Sequence, residues 1–265
     1  MKIEPWILSL IDPIFDEMQE TIDTLISETE NLKKEIESIH LSRFDKSKLE
    51  ETMKNQEKII QILTQKLDNL KLESVKAARK NATDKLTGLL TKPAIVPALT
   101  HHIEQNKRKS DNTYGCLLFI DVCGMNTLNY TYSHTGTDKI IQKFINSIIK
   151  HLRENDYAFR FGGDEVVIYL QNVSVAQAIK SVIRIITASQ KQNPIKLSFY
   201  IGAEILIPRN NDVGTAIEKT LAQADRLVIA AKKARNAENG TDTYIAYKDN
   251  GKTVITTATQ ILTNT

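Results

Sequence analysis

The sequence predicts an α+β protein in which a long helical segment precedes a mixed domain of strands and helices. All ten glycines lie at Gly88 or later, and residues 14–87 contain neither Gly nor Pro, the two residues that most often interrupt helices. Apolar residues recur within that stretch at a 3,4 spacing, whereas apolar strands alternate with helical patterns after it. The composition agrees, because 41% apolar and 25% charged residues are typical of a chain that buries a core.

Residues 1–80 are predicted to form a long α-helical coiled coil that dimerises. Between flanks rich in Glu and Lys, two runs have heptad spacing. They comprise Ile22, Leu25, Thr29, Leu32, Ile36 and Ile39, and then Leu49, Met53, Gln56, Ile60, Leu63, Leu67, Leu70, Ser74 and Ala77. The step from Ile39 to Leu49 breaks the phase. Either one continuous rod with a stammer or a helical hairpin, with a capping box of Ser47 and Glu50 starting its second helix, accounts for the break. The rod is the preferred interpretation.

Residues 81–248 are predicted to form a single domain. Helices are expected at 94–107, 137–152, 174–190 and 213–234, and strands at 114–121, 157–161, 166–170, 195–207 and 243–247. The central order β-α-β-β-α-β is that of a ferredoxin-like, palm-type nucleotidyl-transfer domain. Residues 249–265, rich in Thr and Asn, are expected to be a loose tail.

Composition also limits where the protein acts and what it binds. Two cysteines, Cys116 and Cys123, cannot build a secreted disulfide framework, and their scarcity suits a reducing cytoplasm. No apolar stretch is long enough for a membrane span. Residues 1–80 carry 13 basic and 16 acidic residues, and the remainder carries 22 and 16. This mild basic excess suits a phosphate-bearing ligand but is too scattered for a nucleic-acid surface. We therefore expect a cytoplasmic protein.

Three carboxylates are predicted to meet at one end of the sheet. Asp121 ends a strand, and Asp164 and Glu165 lie on the turn that follows Gly162 and Gly163. In a βαββαβ sheet the first strand and this hairpin are central neighbours, so the carboxylates would repel one another unless a cation binds. Hard oxygen ligands suit Mg²⁺, and two such ions can clamp the oxygens of a phosphoryl transfer. Taken alone, the Gly-Gly-Asp-Glu segment is better explained as an ordinary solvated turn.

The wider pattern resembles the GGDEF family, the diguanylate cyclases, which condense two GTP into cyclic di-GMP. Arg160–Val166 (RFGGDEV) is similar to the family signature. Other matching positions occur in the family's order and approximate spacing over about residues 84–247. They are Asp84–Leu89 (DKLTGL), Asp121-Val122, Asn129, His134, Asp138, Ala224-Asp225 and Ala231-Lys232.

The resemblance implies a role for each matched position in the catalytic turn. Asp121, the carbonyl of Val122 and Asp164 would hold two Mg²⁺ or Mn²⁺ ions, and Glu165 would assist metal binding and catalysis. Gly162 and Gly163 would pass close to the nucleotide. A ribose 3′ hydroxyl would attack an α-phosphate, and pyrophosphate would leave. The protein would promote this reaction mainly by positioning the reactants and neutralising charge.

The resemblance also implies substrate and product sites outside that turn. Asn129, His134 and Asp138 would bind the substrate, with Asn129 and Asp138 reading the guanine edge. Lys232 would bind the terminal phosphates as a point charge. Arg153 and Asp156 resemble the family's R-x-x-D inhibitory site for cyclic di-GMP. Each domain would hold one GTP, so catalysis would require a homodimer.

Several positions depart from the family pattern. Substitutions occur at Cys123, Met125, Asn126, Tyr130, Thr137 and Val166. Arg235 falls among the substrate-binding positions, but its segment is one residue shorter than usual and lacks a glycine, which turns the helix by about 100°. Arg235 is therefore expected to miss the phosphate. The alternative function is a GGDEF domain that binds GTP or cyclic di-GMP without turnover, as a receptor or scaffold.

Overall fold

The computed structural model describes residues 5–38, 43–107, 115–191, 195–208 and 212–263. The chain divides into two compact units, Met1–Asn81 and Ala82–Thr265. The first unit consists of two long helices, α1 (Pro5–Ser38) and α2 (Arg43–Ala82). None of the helices in the described part of the chain combines the length and the apolar character that a membrane span requires.

Helices α1 and α2 form an antiparallel hairpin. Lys33 near the end of α1 pairs with Glu57 early in α2, while Asp12 early in α1 lies 2.8 Å from Lys71 late in α2. The preferred rod is therefore wrong, and the hairpin alternative is correct. The second helix begins at Arg43 rather than at the predicted capping box. Ile39, the last position of the first predicted run, lies outside the described residues.

Between Phe15 and Leu70, only one of the two apolar rows on each helix is buried. The residues of the buried row are separated by seven or fourteen positions: Phe15, Ile22, Thr29 and Ile36 on α1, and Met53 and Leu67 on α2. The other row is exposed and is called here the apolar stripe; it comprises Met18, Leu25, Leu32, Leu49, Leu63 and Leu70. When each helix is viewed from its own N-terminus, the stripe lies on the same side of the buried row. Because the helices run antiparallel, both parts of the stripe lie on one side of the hairpin.

The second unit is a sheet covered by helices on both faces. Its elements are β1 (Leu90–Thr91), α3 (Ile95–Lys107), β2 (Gly115–Val122), α4 (Met125–Ile149), β3 (Tyr157–Arg160), β4 (Glu165–Gln171), α5 (Val175–Lys191), β5 (Phe199–Leu206), α6 (Val213–Glu238), β6 (Tyr244–Asp249), β7 (Lys252–Thr257) and α7 (Ala258–Thr263). Tyr114, the predicted first residue of β2, lies outside the described residues.

The sheet has the strand order β1-β3-β4-β2-β5-β6-β7. Strand β2 is central and pairs antiparallel with both β4 and β5. The segment from β2 to β5 thus has the β-α-β-β-α-β order and the strand neighbours of a ferredoxin-like fold, which confirms the predicted fold class.

Strand β2 is buried along its whole length, because helices cover both of its faces. One face packs on α4 and α5 through residues such as Leu118, Ile120 and Phe144. On the other face α6 contacts β5 and α3. A Cβ atom at Gly202 would lie 2.0 Å from the carbonyl oxygen of Ala224, so only glycine allows α6 to approach β5 this closely.

Two predicted elements need correction. The expected loose tail is wrong, because β7 pairs with β6 and α7 follows it. Asn250 and Gly251, both at positive φ, form the tight turn between these strands, as expected for an Asn-Gly hairpin. Helix α4 begins at Met125 rather than near Thr137, with a kink at Ser133 (φ 60°, ψ 166°).

Candidate active site

Charged residues from four elements converge at the carboxyl end of β2. The strand register places Asp121 directly opposite Glu165 on β4 and opposite Tyr200 on β5. Asp164 precedes Glu165 in the turn between β3 and β4. The side chain of Asp121 is buried, with 7% residue exposure. The structure therefore brings the three sequence-predicted carboxylates into one neighbourhood.

The carboxylates interact electrostatically. Partial burial and the charge of Asp121 raise the pKa of Asp164 above its ordinary value. Partial burial, followed by the charges of Asp121 and Asp164, likewise raises the pKa of Glu165. Like charges in a partly desolvated site disfavour ionisation of one another. A bound cation would relieve this repulsion, so the site has the charge and the oxygen donors that suit a hard divalent ion.

These carboxylates do not form a ready-made metal cage. Within the residues that the structure describes, no three His, Cys, Asp or Glu side chains are grouped closely enough to hold a metal ion. A lysine instead lies against the most buried of them, since Lys232 Nζ is 2.8 Å from Asp121 Oδ2. The oxygen donor chemistry thus fits a divalent cation, but the side chains must rearrange to enclose it.

Lys232 reaches the site from α6, about two turns before the end of that helix at Glu238. Partial burial alone would lower the pKa of Lys232, but the hydrogen bond and charge of Asp121, together with Glu165 and Asp164, raise it overall. The ammonium group also lies 5.5 Å from the ring centroid of Tyr200, within cation–π range. Lys232 is therefore held in its charged form, with a carboxylate and an aromatic ring both near its ammonium group.

Arg160 anchors the glycine turn, a role that the sequence analysis did not assign. Its Nε and Nη2 atoms donate to the carbonyl oxygens of Gly162 (3.2 Å) and Gly163 (2.8 Å). Its Nη1 donates to Asp84 Oδ1 at 2.8 Å. One guanidinium group thus ties both glycines to the segment that precedes β1. Asp84 and Arg160 both belong to motifs that match the family, so their presence in those motifs was the signal that could have pointed to this anchor.

Asp84 is itself fixed within a tight turn. Its Oδ1 accepts from the backbone N–H of Thr87 (2.9 Å) and from the Thr87 hydroxyl (2.7 Å). Gly88, at φ +73°, closes this turn with a backbone bond to the Asp84 carbonyl oxygen. Burial alone would raise the pKa of Asp84, but the hydrogen bonds from Arg160 and Thr87 lower it overall.

Arg235 is engaged within its own domain. Its three guanidinium nitrogens donate to the Gly240 carbonyl oxygen (2.9 Å), the Tyr200 hydroxyl (3.1 Å) and Ser198 Oγ (3.2 Å). The guanidinium carbon also lies 5.4 Å from the Tyr200 ring centroid. These contacts tie the end of α6 to β5.

The predicted guanine-binding residues lie along α4. Asn129 is half-buried and precedes the kink at Ser133, while His134 and Asp138 follow it and are exposed. A serine at this φ and ψ is strained, and its Oγ accepts from the backbone N–H of Gly136. The kink separates Asn129 from Asp138, so the two side chains project from different helical segments.

The residues of the predicted inhibitory site form a local turn. Asp156 accepts from the backbone N–H of Arg153 (3.0 Å) through one carboxylate oxygen and from that of Gln171 (3.2 Å) through the other. The Arg153 side chain is exposed. Asp156 therefore fixes the turn before β3, and its oxygens keep further lone pairs for a ligand.

The second unit matches a known protein family. A model of the diguanylate cyclase GGDEF domain matches residues 81–238. Diguanylate cyclase DosC of Escherichia coli (strain K12) is 29% identical over 161 residues, which are 58% of this chain and 34% of that protein. The chain spans less than half the length of the curated relatives it matches, with shares of 25%, 34% and 42% for three of them.

Two solved structures share the fold. Diguanylate cyclase SiaD of Pseudomonas aeruginosa, in complex with its activator SiaC, is similar with a TM-score of 0.52 and 20% identity, over 92% of this chain and 97% of that one. The coiled coil and GGDEF domain of DgcB from Caulobacter crescentus, in complex with c-di-GMP, gives a TM-score of 0.50 and 18% identity, over 67% of this chain and 94% of that one.

Proposed function

The chain belongs to the diguanylate cyclase GGDEF-domain family, and we propose that it condenses two molecules of GTP into cyclic di-GMP with release of pyrophosphate. The observation that carries this proposal is the convergence at the end of β2, where Asp121 lies opposite Glu165 on the neighbouring strand and Lys232 from α6 pairs with Asp121. Acidic oxygens beside a fixed ammonium group suit a nucleoside triphosphate, because phosphoryl transfer depends on positioning and charge neutralisation.

Mg²⁺ or Mn²⁺, two ions per site, would be held by Asp121, the Val122 carbonyl, Asp164 and Glu165. When bound, the metal supplies neutralisation of phosphate charge. The raised pKa values of Asp164 and Glu165 support this assignment, since they report anionic groups crowded together in a partly desolvated site.

The protein's own groups bind and orient the nucleotide. Lys232 provides the positive charge for the terminal phosphates, and Gly162 and Gly163 let the backbone approach them. Asn129 and Asp138 would read the guanine edge, and His134 would also bind the substrate. A carboxylate at Asp138 accepts from the guanine N1–H and 2-amino groups, which adenine does not offer as a pair. The 3′ hydroxyl of one GTP then attacks the α-phosphate of the other.

A second copy of the chain must supply the other GTP, and the apolar stripe is the proposed contact. Leu25, Leu32, Leu63 and Leu70 are between 40% and 51% exposed, although an ordinary coiled coil buries both rows of its seam. Two hairpins that meet through this stripe form a four-helix bundle and bury it. Joining the chains in this way raises the effective concentration of the second half-site to the order of millimolar.

Product inhibition is a further part of the proposal. Arg153 is exposed and can fork onto a phosphate or a guanine Hoogsteen edge. Asp156 is held rigidly by its two backbone contacts and can accept from guanine N1–H. Cyclic di-GMP bound at this turn would restrain two domains from meeting.

The contacts of Arg235 favour a second candidate, a domain that binds GTP or cyclic di-GMP without turnover. Its guanidinium group bonds to Tyr200, Ser198 and Gly240, so one cation fewer is available for the departing phosphates. In that case the protein acts as a nucleotide receptor or scaffold.

Product identification separates the two candidates. Purified protein is incubated with Mg²⁺ and either GTP or ATP, and the nucleotides are separated and identified by mass. The cyclase proposal predicts cyclic di-GMP and pyrophosphate from GTP and no cyclic product from ATP. Tight GTP binding by calorimetry with no product would establish the receptor instead.

A further inference from the structure

The ion pair between Lys232 and Asp121 occupies the place where a cation is needed. Asp121 is the most buried carboxylate of the site, and Lys232 Nζ lies 2.8 Å from its Oδ2. Glu165 and Asp164 also attract this ammonium group. One side-chain charge thus offsets the repulsion that a divalent ion would otherwise relieve.

Two features hold Lys232 in this position. The centroid of the Tyr200 ring lies 5.5 Å from the ammonium group, within cation–π range. The bonds of Arg235 to Tyr200 and Ser198 fix that ring and the last turns of α6 against β5. The lysine stem is nevertheless flexible, and its side chain keeps 41% exposure, so the ammonium group can swing away towards a phosphate.

From this arrangement we propose that Lys232 acts as a resident counter-ion: in the nucleotide-free protein it excludes a divalent cation from Asp121, and it yields this place only when a triphosphate draws its ammonium group away. The inference rests on the proposed nucleotide site. It assigns Lys232 two successive partners, the Asp121 carboxylate before substrate binds and the phosphates afterwards. The metal and the nucleotide therefore bind cooperatively.

The coupling between the divalent cation and the nucleotide is reciprocal. If the nucleotide raises the affinity for the cation by drawing the Lys232 ammonium group away, the cation raises the affinity for the nucleotide by the same factor. Free metal binds weakly to the empty protein, and the nucleotide strengthens that binding. Removing the ammonium group has the opposite effects: metal binding no longer needs the nucleotide, and the two ligands lose their coupling.

The test is a titration of nucleotide-free protein with Mn²⁺, followed by the room-temperature electron paramagnetic resonance signal of the free ion. Lys232→Gln is expected to bind Mn²⁺ at least about tenfold more tightly than the wild type, since a tenfold change is a small part of what one nearby charge contributes in a partly buried site. Lys232→Arg, which keeps the charge, is expected to bind as weakly as the wild type. Lys233→Gln, at the exposed neighbouring position, is the matched control and is expected to leave the affinity unchanged.

A second arm repeats the titration with a non-hydrolysable GTP analogue present. The analogue is expected to tighten Mn²⁺ binding strongly in the wild type and much less in Lys232→Gln, after subtraction of Mn²⁺ bound to the free analogue. Equal Mn²⁺ affinity of the wild type and Lys232→Gln without nucleotide, including no binding by either, would overturn the proposal. Circular dichroism checks that each variant is folded. Because this readout needs no turnover, failure to form cyclic di-GMP would count against the proposed function without deciding the outcome here.

Discussion

Replacing Asp84 with alanine tests whether the Arg160 anchor stabilises the catalytic turn. The carboxylate accepts three hydrogen bonds through Oδ1, from Arg160 Nη1 and from the backbone and hydroxyl of Thr87. The pair is mostly buried, with 25% side-chain exposure for Asp84 and 12% for Arg160. Hydrogen bonds to charged groups contribute about 1.5–3 kcal/mol each, but partial exposure and rebonding to water reduce their sum. We expect Asp84→Ala to lower the free energy of unfolding by about 2–3 kcal/mol.

The distribution of aromatic residues allows this effect to be measured in the second unit by itself. All eight tyrosines lie at position 114 or later, whereas Trp6 is the only tryptophan. Near-ultraviolet circular dichroism from tyrosine therefore follows the sheet domain, and tryptophan fluorescence follows the hairpin. With a urea m-value of about 2–3 kcal/mol/M, the tyrosine midpoint is expected to fall by about 1 M. Lys85→Ala, in the same turn but exposed, is the matched control and is expected to change little.

The pH dependence gives a further check on the cause. The folded protein lowers the pKa of Asp84 below its ordinary value of 3.8. The contribution of this carboxylate to the free energy of unfolding is therefore present above pH 3.8, and it is lost as the pH falls through the pKa of the folded state. The difference between wild type and Asp84→Ala is therefore expected at pH 7 and should vanish in strong acid. A tyrosine midpoint for Asp84→Ala within about 0.2 M of the wild type at pH 7 would refute the anchor.

Three further predictions concern recognition, assembly and inhibition. Asp138→Ala is expected to reduce the preference for GTP over ATP in a binding assay by about 10- to 100-fold, since unpaired guanine donors cost about 1–3 kcal/mol; an unchanged preference would remove Asp138 from the guanine site. Leu63→Glu combined with Leu70→Glu is expected to give monomers at micromolar concentration by sedimentation, whereas Gln65→Glu on the opposite face should stay dimeric; two dimeric variants would contradict the stripe contact. Arg153→Ala is expected to keep its initial rate and lose inhibition by added cyclic di-GMP; equal cyclic di-GMP affinity for wild type and variant, measured by calorimetry on GTP-free protein, would place the product site elsewhere.

The sequence predicted the sheet core because its signals are local. An apolar strand that ends in Asp121, and the Gly162–Gly163 turn between two short strands, specify neighbouring elements without long-range information. The tail was misjudged because the alternation in residues 252–257 consists mainly of Thr and Lys. The Asn250-Gly251 turn was the stronger signal, since both residues adopt positive φ in the hairpin.

Other features depend on contacts that the spacing of residues along the sequence does not reveal. A heptad seam is the same in a rod and in a hairpin, and only the pairing of Lys33 with Glu57 and of Asp12 with Lys71 distinguishes them. Asp84 and Arg160 are 76 residues apart, so no local pattern joins them. Lys232 and Asp121 are 111 residues apart, and only the family resemblance brought both to one site.

The most direct test of the proposed catalytic site is the rate of cyclic di-GMP formation by Asp164→Ala. Its matched control is Glu218→Ala, which removes an exposed carboxylate from α6 outside the site. With saturating GTP and Mg²⁺, Asp164→Ala is expected to lose turnover by about 100-fold or more, as is typical when a group that stabilises charge in the transition state is removed. Glu218→Ala is expected to match the wild type. Near-normal turnover by Asp164→Ala, in a wild type that forms cyclic di-GMP, would show that the carboxylates at the end of β2 do not carry the reaction.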